Sequence, residues 1–385
     1  MIFNNKLRHY RWLMVFLPVW SVFAITACEN KSGEQQEGQI WSVTHSPDST
    51  AIRVHDMLGR QITLPKKIDR VVCLRAGALR LLVYLDASHL AVGIEEAERR
   101  SDRTYMLAQP QLQDLPVIGP QMGGDAELIT AARPEVIFMT FTTRAQADRL
   151  QKRTGIPVVA LQYGDFSGQR KILYQSMELM ASILGKEERA AALITYIEDS
   201  IRELEQRTRE ITHSHAPRVY IGGVSYRGAR GITSTEPHYP PFAFVNAENV
   251  AAQIHPKTIN PIQGTYIDKE QLILWNPETL FVDLFSQHLV RPDLQPGSPL
   301  SGTLSALQKG EVYGLLSYNN YATNYETLLV NAWYVGKVLY PEAFEEIRIP
   351  EKADEIFETF LGNPVYHQVA ASEHGGFRKL AAPMP

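Results

Sequence analysis

An α/β fold of two lobes, each built on a central parallel sheet and joined by a single long helix, is what this 385-residue sequence predicts. Three observations predict it. The first is a repeat: Asp125–Thr140 (DAELITAARPEVIFMT) aligns without a gap on Asp268–Asp283 (DKEQLILWNPETLFVD), an offset of 143 residues. The pair shares Asp125/Asp268, Glu127/Glu270, Pro134/Pro277, Glu135/Glu278 and Phe138/Phe281, and RVVCLRAGA from Arg70 matches RVYIGGVSYRGA from Arg218 at an offset of 148. A single duplication at this spacing means two lobes rather than a solenoid. The second is Lys186–Ile211, in which Leu193, Ile197, Ile201, Leu204, Thr208 and Ile211 recur at steps of three or four and so share one helix face. At about 1.5 Å per residue that helix is roughly 39 Å long, enough to cross a domain. The third is the alternation of short apolar strands with helices, the signature of a parallel sheet covered on both faces.

The elements follow in order. Ile52–Leu64 alternates around Leu58-Gly59 as a hairpin does, and Pro65 closes it. A strand at Arg70–Leu74, a helix at Gly77–Asp86 and a second strand at Leu90–Ile94 come next. Asp125 caps a helix that Pro134 ends, and Val136–Phe141 is a buried strand containing no charge. Arg144–Thr154 is helical, Pro157–Leu161 extended and Arg170–Leu184 helical, with Gly185 separating the last from the connector. In the second lobe, strand Arg218–Val224 leads into the Gly/Pro-rich run Gly228–Phe242. Helix Asp268–Trp275, strand Thr279–Leu284, helix Leu300–Lys309, strand Glu311–Leu316 and helices Glu326–Tyr340 and Glu351–Leu361 complete it. The predicted division is residues 52–185, the connecting helix 186–211, residues 212–370, and a frayed tail 371–385.

With 44% hydrophobic and 21% charged residues the chain has the composition of a globular protein large enough for two cores. A net charge of −4 gives no footing for nucleic acid, and two cysteines exclude a disulfide framework or a Cys-rich metal centre. Cys73, inside an apolar strand, is expected in the core.

Lys6, Arg8 and Arg11 precede an apolar run, Trp12–Ala27, and Ile25-Thr26-Ala27-Cys28 resembles the lipobox of bacterial lipoproteins. Residues 1–27 are therefore read as a signal peptide and Cys28 as the lipidated first residue of the mature chain. Residues 28–51, rich in Gln, Ser, Glu and Gly, form a flexible tether. The expected location is extracytoplasmic, anchored to the cell membrane or the periplasmic face of the envelope.

D-M-L-G-R with I-T-L-P and R-V-V, then GDAELITAARPEVIF, a long helix and YATNYETLLVNAWYVGKVLYPEAF together resemble the class III (FecB/TroA-like) substrate-binding proteins of ABC importers. The nearest group serves iron–siderophore complexes, haem and cobalamin, and the likeness spans roughly residues 52–362. It implies two Rossmann-like lobes with the ligand in the cleft between them, and, with a continuous helix as the bridge, modest closure on binding. It implies as partners an ABC permease and its ATPase, with one acidic residue per lobe docking on permease arginines. Glu127 and Glu270 occupy those positions. An acid in a first helical turn also suits the helix dipole, but that does not account for equal spacing on both lobes. A monomer is expected, with no cofactor of its own and no resident metal.

Gly228–Phe242 (GARGITSTEPHYPPF) is the most unusual local sequence. With the residue before it, it offers Arg227, Arg230, Thr233, Ser234, Glu236, His238 and Tyr239 to a ligand. Arginines suit carboxylates, and glycine-rich backbone exposes N–H groups. First-lobe counterparts are Arg75, after its strand, and Arg144. Tyr318 and Tyr321, after strand Glu311–Leu316, can present rings to a flat ligand. His213 and His215 are read as solvated.

No G-x-S-x-G, H-E-x-x-H, phosphate loop or paired Cys motif is present, so the chain is not expected to be an enzyme. A chelatase-like enzyme would need Glu236 and His238 acting together. A structural lipoprotein with an empty cleft is a third reading, opposed by inward-facing arginines. The expected function is capture of an iron complex, siderophore or haem-like, and its delivery to the permease. The alternatives within the fold are an oxyanion, a metal ion or cobalamin.

Overall fold

The computed structural model describes residues 40–45, 50–99, 102–120, 122–210, 215–254 and 264–380. The signal segment, Cys28 and His213 lie outside the described residues. An antiparallel ribbon comes first, in the order β1 (Ser42–His45), β2 (Ala51–His55), β3 (Gln61–Pro65). In β2 and β3 alternate residues, among them Ile52, Val54, Ile62 and Leu64, turn inward, as the two-residue period of a strand requires. β1 corrects the expected tether: Ser42–His45 pairs with β2 because Trp41 and Val43 have core to pack against.

The first parallel sheet runs β4 (Val71–Leu74), β5 (Val136–Met139), β6 (Val158–Ala160) in that spatial order. Every residue of these strands is buried, as in a sheet covered on both faces. Helices α1 (Ala78–Tyr84), α2 (Thr104–Ala108), α3 (Ala126–Ala132) and α4 (Arg144–Thr154) connect and flank them. Leu90–Ile94, expected as a strand, is instead a 3₁₀ turn followed by isolated bridges from Ala91 to Val71 and Ile94 to Val117.

Helix α5 (Arg170–Leu184) ends at Gly185, whose φ of 65° turns the chain into the long connector α6 (Glu187–Thr208). Leu193, Ile197, Ile201, Leu204 and Thr208 of α6 are all buried, so the predicted face is the packed one.

The second lobe comprises β7 (Arg218–Gly222), β8 (Ser234–Thr235), α7 (Pro240–Phe244), β9 (Glu248–Asn249), β10 (Thr265–Tyr266), α8 (Lys269–Trp275) and β11 (Thr279–Asp283). It continues with α9 (Gln287–Leu294), α10 (Ser305–Gln308), β12 (Val312–Leu315), α11 (Tyr325–Leu339), α12 (Ile349–Leu361), α13 (Tyr366–Ser372) and β13 (Arg378–Lys379). The sheet order is β13-β12-β11-β7-β9, parallel but for β13. That edge strand corrects the expected frayed tail: Arg378 and Lys379 pair with Gly314 and Tyr313, and the Lys379 ammonium reaches Glu311 at 2.9 Å.

The repeat is structural in detail. Asp125 and Asp268 each accept amide bonds from the first turn of the following helix. Arg133 and Asn276 end those helices in the left-handed conformation. Arg70 and Arg218 each donate to carbonyls at that helix end (Arg133 and Ala132; Trp275). Glu135 and Glu278 each accept the amide of that same arginine. One strand–helix unit has been built twice.

The lobes are not independent, and Gln39–Pro385 is one compact unit. Helix α12, assigned by sequence to the second lobe, buries Ile356, Phe357 and Phe360 and packs on α1 and α2 of the first lobe as well as on α11 of its own. Phe360 meets Tyr84 edge-on at 5.0 Å, and Gln109 donates to the Leu361 carbonyl at 2.7 Å. An amphipathic helix has to cover its apolar face, and the first lobe offers the matching surface.

Candidate functional site

Tyr318–Asn324, the strap between β12 and α11, lies in the second half of the chain but is gripped by the first lobe. The fully buried Arg80 donates to the carbonyls of Thr323 (2.9 Å), Asn320 (3.0 Å) and Tyr321 (3.2 Å). Tyr163 donates to Thr323 at 2.8 Å, and Tyr325 returns a bond to the Tyr163 carbonyl at 2.7 Å. Beneath them the buried Glu326 carboxylate accepts from Tyr84 and Thr104. Gly77 makes the arrangement possible: a Cβ there would lie 2.1 Å from the Tyr163 ring.

Above this floor is a cleft of about 1220 Å³, open between the lobes. Its walls are the segments following β4, β5, β7, β11 and β12, so the carboxyl ends of both sheets face it, the usual ligand side of an open α/β sheet. The first-lobe wall presents Arg75, Arg103, Met122, Phe141, Tyr163 and Phe166, and the second Tyr226, Arg227, His238, Phe285, Tyr318 and Tyr321. Met122, Phe141 and Phe285 are exposed apolar side chains at its mouth.

The cleft thus brings together Arg75, Arg227, His238, Tyr318 and Tyr321 of the ten expected ligand residues. The other five are directed elsewhere. Arg144 donates to the Leu58 and Gly59 carbonyls at 3.1 and 2.7 Å, pinning the hairpin turn rather than meeting a ligand. Arg230 donates to the Tyr226 carbonyl at 2.8 Å and stays inside its own loop. Thr233 and Ser234 approach β10, the Thr233 carbonyl accepting from Ile267 while the Ser234 hydroxyl donates to Val224. Tyr239 is buried with its hydroxyl accepting from Asn331 and its ring against Phe242 and Tyr318. A loop that folds back into a two-stranded pair consumes its polar groups locally, and composition cannot reveal that. Of the acid–histidine pair, Glu236 accepts from Tyr226 at 2.7 Å and from the His238 amide at 3.1 Å, leaving the exposed imidazole beside an occupied carboxylate.

Sequence reasoning missed Arg103 and Glu95. Arg103, almost wholly buried, donates to Glu98 at 2.7 Å and lies over the Tyr321 ring at 4.3 Å. Neither belongs to a motif, and each meets Tyr321, which arrives from more than two hundred residues away. Burial lowers the Arg75 guanidinium from its ordinary range, against the raising effect of Glu95 and Tyr321. Burial also pushes up the Tyr318 and Tyr321 phenols, with the negative charge of Glu95 adding to the effect at Tyr321. These tyrosines are neutral hydrogen-bond donors at neutral pH. At the base, burial raises Asp283 to about 6 although it accepts from the Ser225 and Phe285 amides. Glu373, which accepts the Ser317 amide at 2.8 Å, is pushed well above the carboxylate range by burial and then by the charge of Asp283.

Glu127 and Glu270 are exposed in the first turns of α3 and α8, flanked by the exposed Leu128 and Leu274. No described helix is long and apolar enough to cross a membrane.

The profile of the periplasmic binding protein family matches residues 71–318, more than half of the chain. The molybdate-binding protein MolA of Haemophilus influenzae is 23% identical over 333 residues, which cover 80% of this chain and 90% of that protein. The structure of MolA bound to molybdate superposes with a TM-score of 0.63 at 21% identity, covering 81% of this chain and 98% of that one. The TroA-like protein FepB of Veillonella parvula gives 0.59 at 19% identity, over 81% and 96% of the two chains. CeuE of Helicobacter pylori with Ni(II) bound gives 0.57 at 13%, over 80% and 95%. At these identities the superpositions establish the fold.

Proposed function

The chain belongs to the periplasmic binding protein family, the solute-binding proteins of ABC importers, and from that premise we propose that its cleft carries an anionic iron chelate, a siderophore complex or a haem-like molecule. One observation carries the choice: a cleft of about 1220 Å³ walled by aromatic rings and guanidinium groups. At about 30 Å³ per water molecule in the liquid, that space equals some forty waters, far beyond a five-atom oxyanion. It slightly exceeds the roughly 300–1,000 Å³ that suffices for a drug-sized ligand. Arg75 and Arg227 supply charge for ligand carboxylates, while Tyr318, Tyr321 and the apolar mouth supply faces for its flat parts. His238 stands at the rim, where an imidazole can meet ligand or metal.

Delivery follows from the outer surface. Glu127 and Glu270, exposed at matching positions of the duplicated unit, are the proposed docking points for basic residues of the permease. Cys28, outside the described residues, is the proposed lipid attachment that keeps the protein at the membrane.

A second reading, an oxyanion, is favoured by the likeness to MolA in both sequence and structure. The visible absorption spectrum of protein purified from its native envelope separates the two. A Soret band or a ferric charge-transfer band supports the chelate. A colourless protein that binds molybdate in calorimetric titration overturns it in favour of the oxyanion.

A further inference from the structure

Glu95 does not line the cleft, yet two residues that do, Arg75 and Tyr321, converge on its carboxylate together with Gly123, which follows the lining Met122. Oε1 accepts the Gly123 amide at 2.7 Å, and Oε2 accepts the Arg75 amide at 2.7 Å and the Tyr321 hydroxyl at 2.8 Å. All three donors have left-handed backbones, with φ of 71° at Arg75, 137° at Gly123 and 56° at Tyr321. Residues other than glycine avoid that region and hold it only where surrounding structure over-determines them. Two donors come from first-lobe loops and the third from the second-lobe strap, so one buried side chain ties both walls together.

We infer that Glu95 is the positioning residue of this cleft: by accepting from the Arg75 and Gly123 amides and the Tyr321 hydroxyl it fixes the backbone from which the Arg75 side chain, itself donating to the Phe141 carbonyl and Gln146, and the Tyr321 ring face the ligand. The inference rests on the reading of the cleft as a ligand site, not on which anion fills it. Three donors meeting two oxygens demand a group that only accepts, and an ionised carboxylate is such a group. A glutamine, or the protonated acid, has the same shape but turns a donor toward a donor. That reversal frees the left-handed turns to relax and swings Arg75 and Tyr321 off the ligand.

Charge enters here. Burial pushes the Glu95 carboxyl above its ordinary range, opposed by the bonds from Gly123, Tyr321 and Arg75 and by the Arg75 charge. The other titratable or charged groups around it are Glu98, Arg103 over the Tyr321 ring, and the buried Cys73 thiol. Ligand affinity is therefore expected to fall on acidification as Glu95 takes up a proton.

The test is calorimetric titration of the full chain and its Glu95→Gln variant with haemin and with molybdate, from about pH 5 to 8. Amide hydrogen exchange of the unliganded proteins is followed in parallel. The expected result is an affinity at least tenfold lower in Glu95→Gln at neutral pH, and the loss of the wild-type fall toward acid. Exchange should be faster at the Arg75 and Gly123 amides, while the packed helix α6 stays protected. Tyr321→Phe, which keeps the carboxylate and deletes one donor, should lose several-fold in affinity and retain the acid fall. It serves also if Glu95→Gln does not fold. Wild-type affinity in Glu95→Gln, an acid fall that survives in it (which would assign the proton to another buried carboxyl, Glu98, Asp283 or Glu373), or unchanged exchange at Arg75 and Gly123 overturns the inference. If neither probe binds the wild type, the haem-like and oxyanion cargoes both fail and the exchange result alone decides on Glu95.

Discussion

The strap Tyr318–Asn324 and the loop Ser225–His238 both leave the carboxyl end of a second-lobe strand and both face the cleft, yet their polar groups are satisfied in different ways. The strap's carbonyls are held by Arg80 and Tyr163 of the opposite lobe, and the hydroxyl of its Tyr321 reaches Glu95 there. The loop is held within the second lobe: Arg230 to Tyr226, Tyr226 to Glu236, Ser234 to Val224, and the Ser225 and Arg230 amides to Asp283 and Ser286. Its Arg227 is exposed, with no hydrogen bond or ion pair among the described residues. The strap is accordingly tied to the first lobe as well as to its own, through Asn319 to the Ser225 carbonyl, while the loop is tied to the second lobe and moves with it. Modest closure fits this difference. The lobes share a fixed floor, and it is the strap side of the opening that is bonded across it.

The comparison can be broken hardest at Arg80. Arg80→Ala removes three cross-lobe bonds and leaves Glu326 buried without a neighbouring cation, and breaking such a buried network costs about 3–5 kcal/mol. Urea unfolding should show a loss of that size; a loss under 1 kcal/mol would mean the strap holds without its anchor.

Next in size is Asp283, at the root of both segments, accepting the Ser225 amide at 3.0 Å and the Ser317 hydroxyl at 3.4 Å. Its carboxyl is raised from 3.8 to about 6 by burial. A raised folded value means that the folded state holds an extra proton between about pH 4 and 6. The stabilisation is therefore fully present below about pH 4 and lost as pH rises through 6. At 1.36 kcal/mol per pKa unit the wild type should lose about 3 kcal/mol across that window relative to Asp283→Asn. Parallel stability–pH curves for the two proteins would contradict this.

Arg227→Ala sharpens the comparison from the loop side. Without a partner to lose, stability should stay within about 0.5 kcal/mol of wild type. Affinity for an anionic ligand should drop by about 1.5–3 kcal/mol, the worth of a hydrogen bond to a charged group, read by calorimetry. The smallest effect belongs to Arg144→Ala, which should cost no more than about 1 kcal/mol of stability and leave ligand binding unchanged. A loss of affinity there would restore Arg144 to the site.

The distinction between strap and loop also explains what could be read early. The duplicated unit, the packed face of α6 and the limits of α4 and α5 follow from patterns local to the chain: apolar spacing, Asp caps, glycine stops. Arg75 and Tyr321 were legible as residues after strands on the carboxyl side of a sheet. Arg144, Arg230 and Tyr239 have the same residue types and similar contexts, but hairpin turn, loop and core claimed them. Arg103 and Glu95 carried no local signal.

Periodicity and capping act over a turn or two of backbone, so the doubled unit, the long connecting helix and the class of fold were settled by the amino-acid string, while β1 and β13 were not. Whether a given guanidinium or carboxylate faces the cleft depends on which acceptors and donors reach it first. Those come from distant parts of the chain, 240 residues away for Arg80 and Asn320, and 226 for Tyr321 and Glu95. A buried polar group takes the nearest partner that removes its desolvation cost, and only the folded packing of the two lobes decides which partner is near.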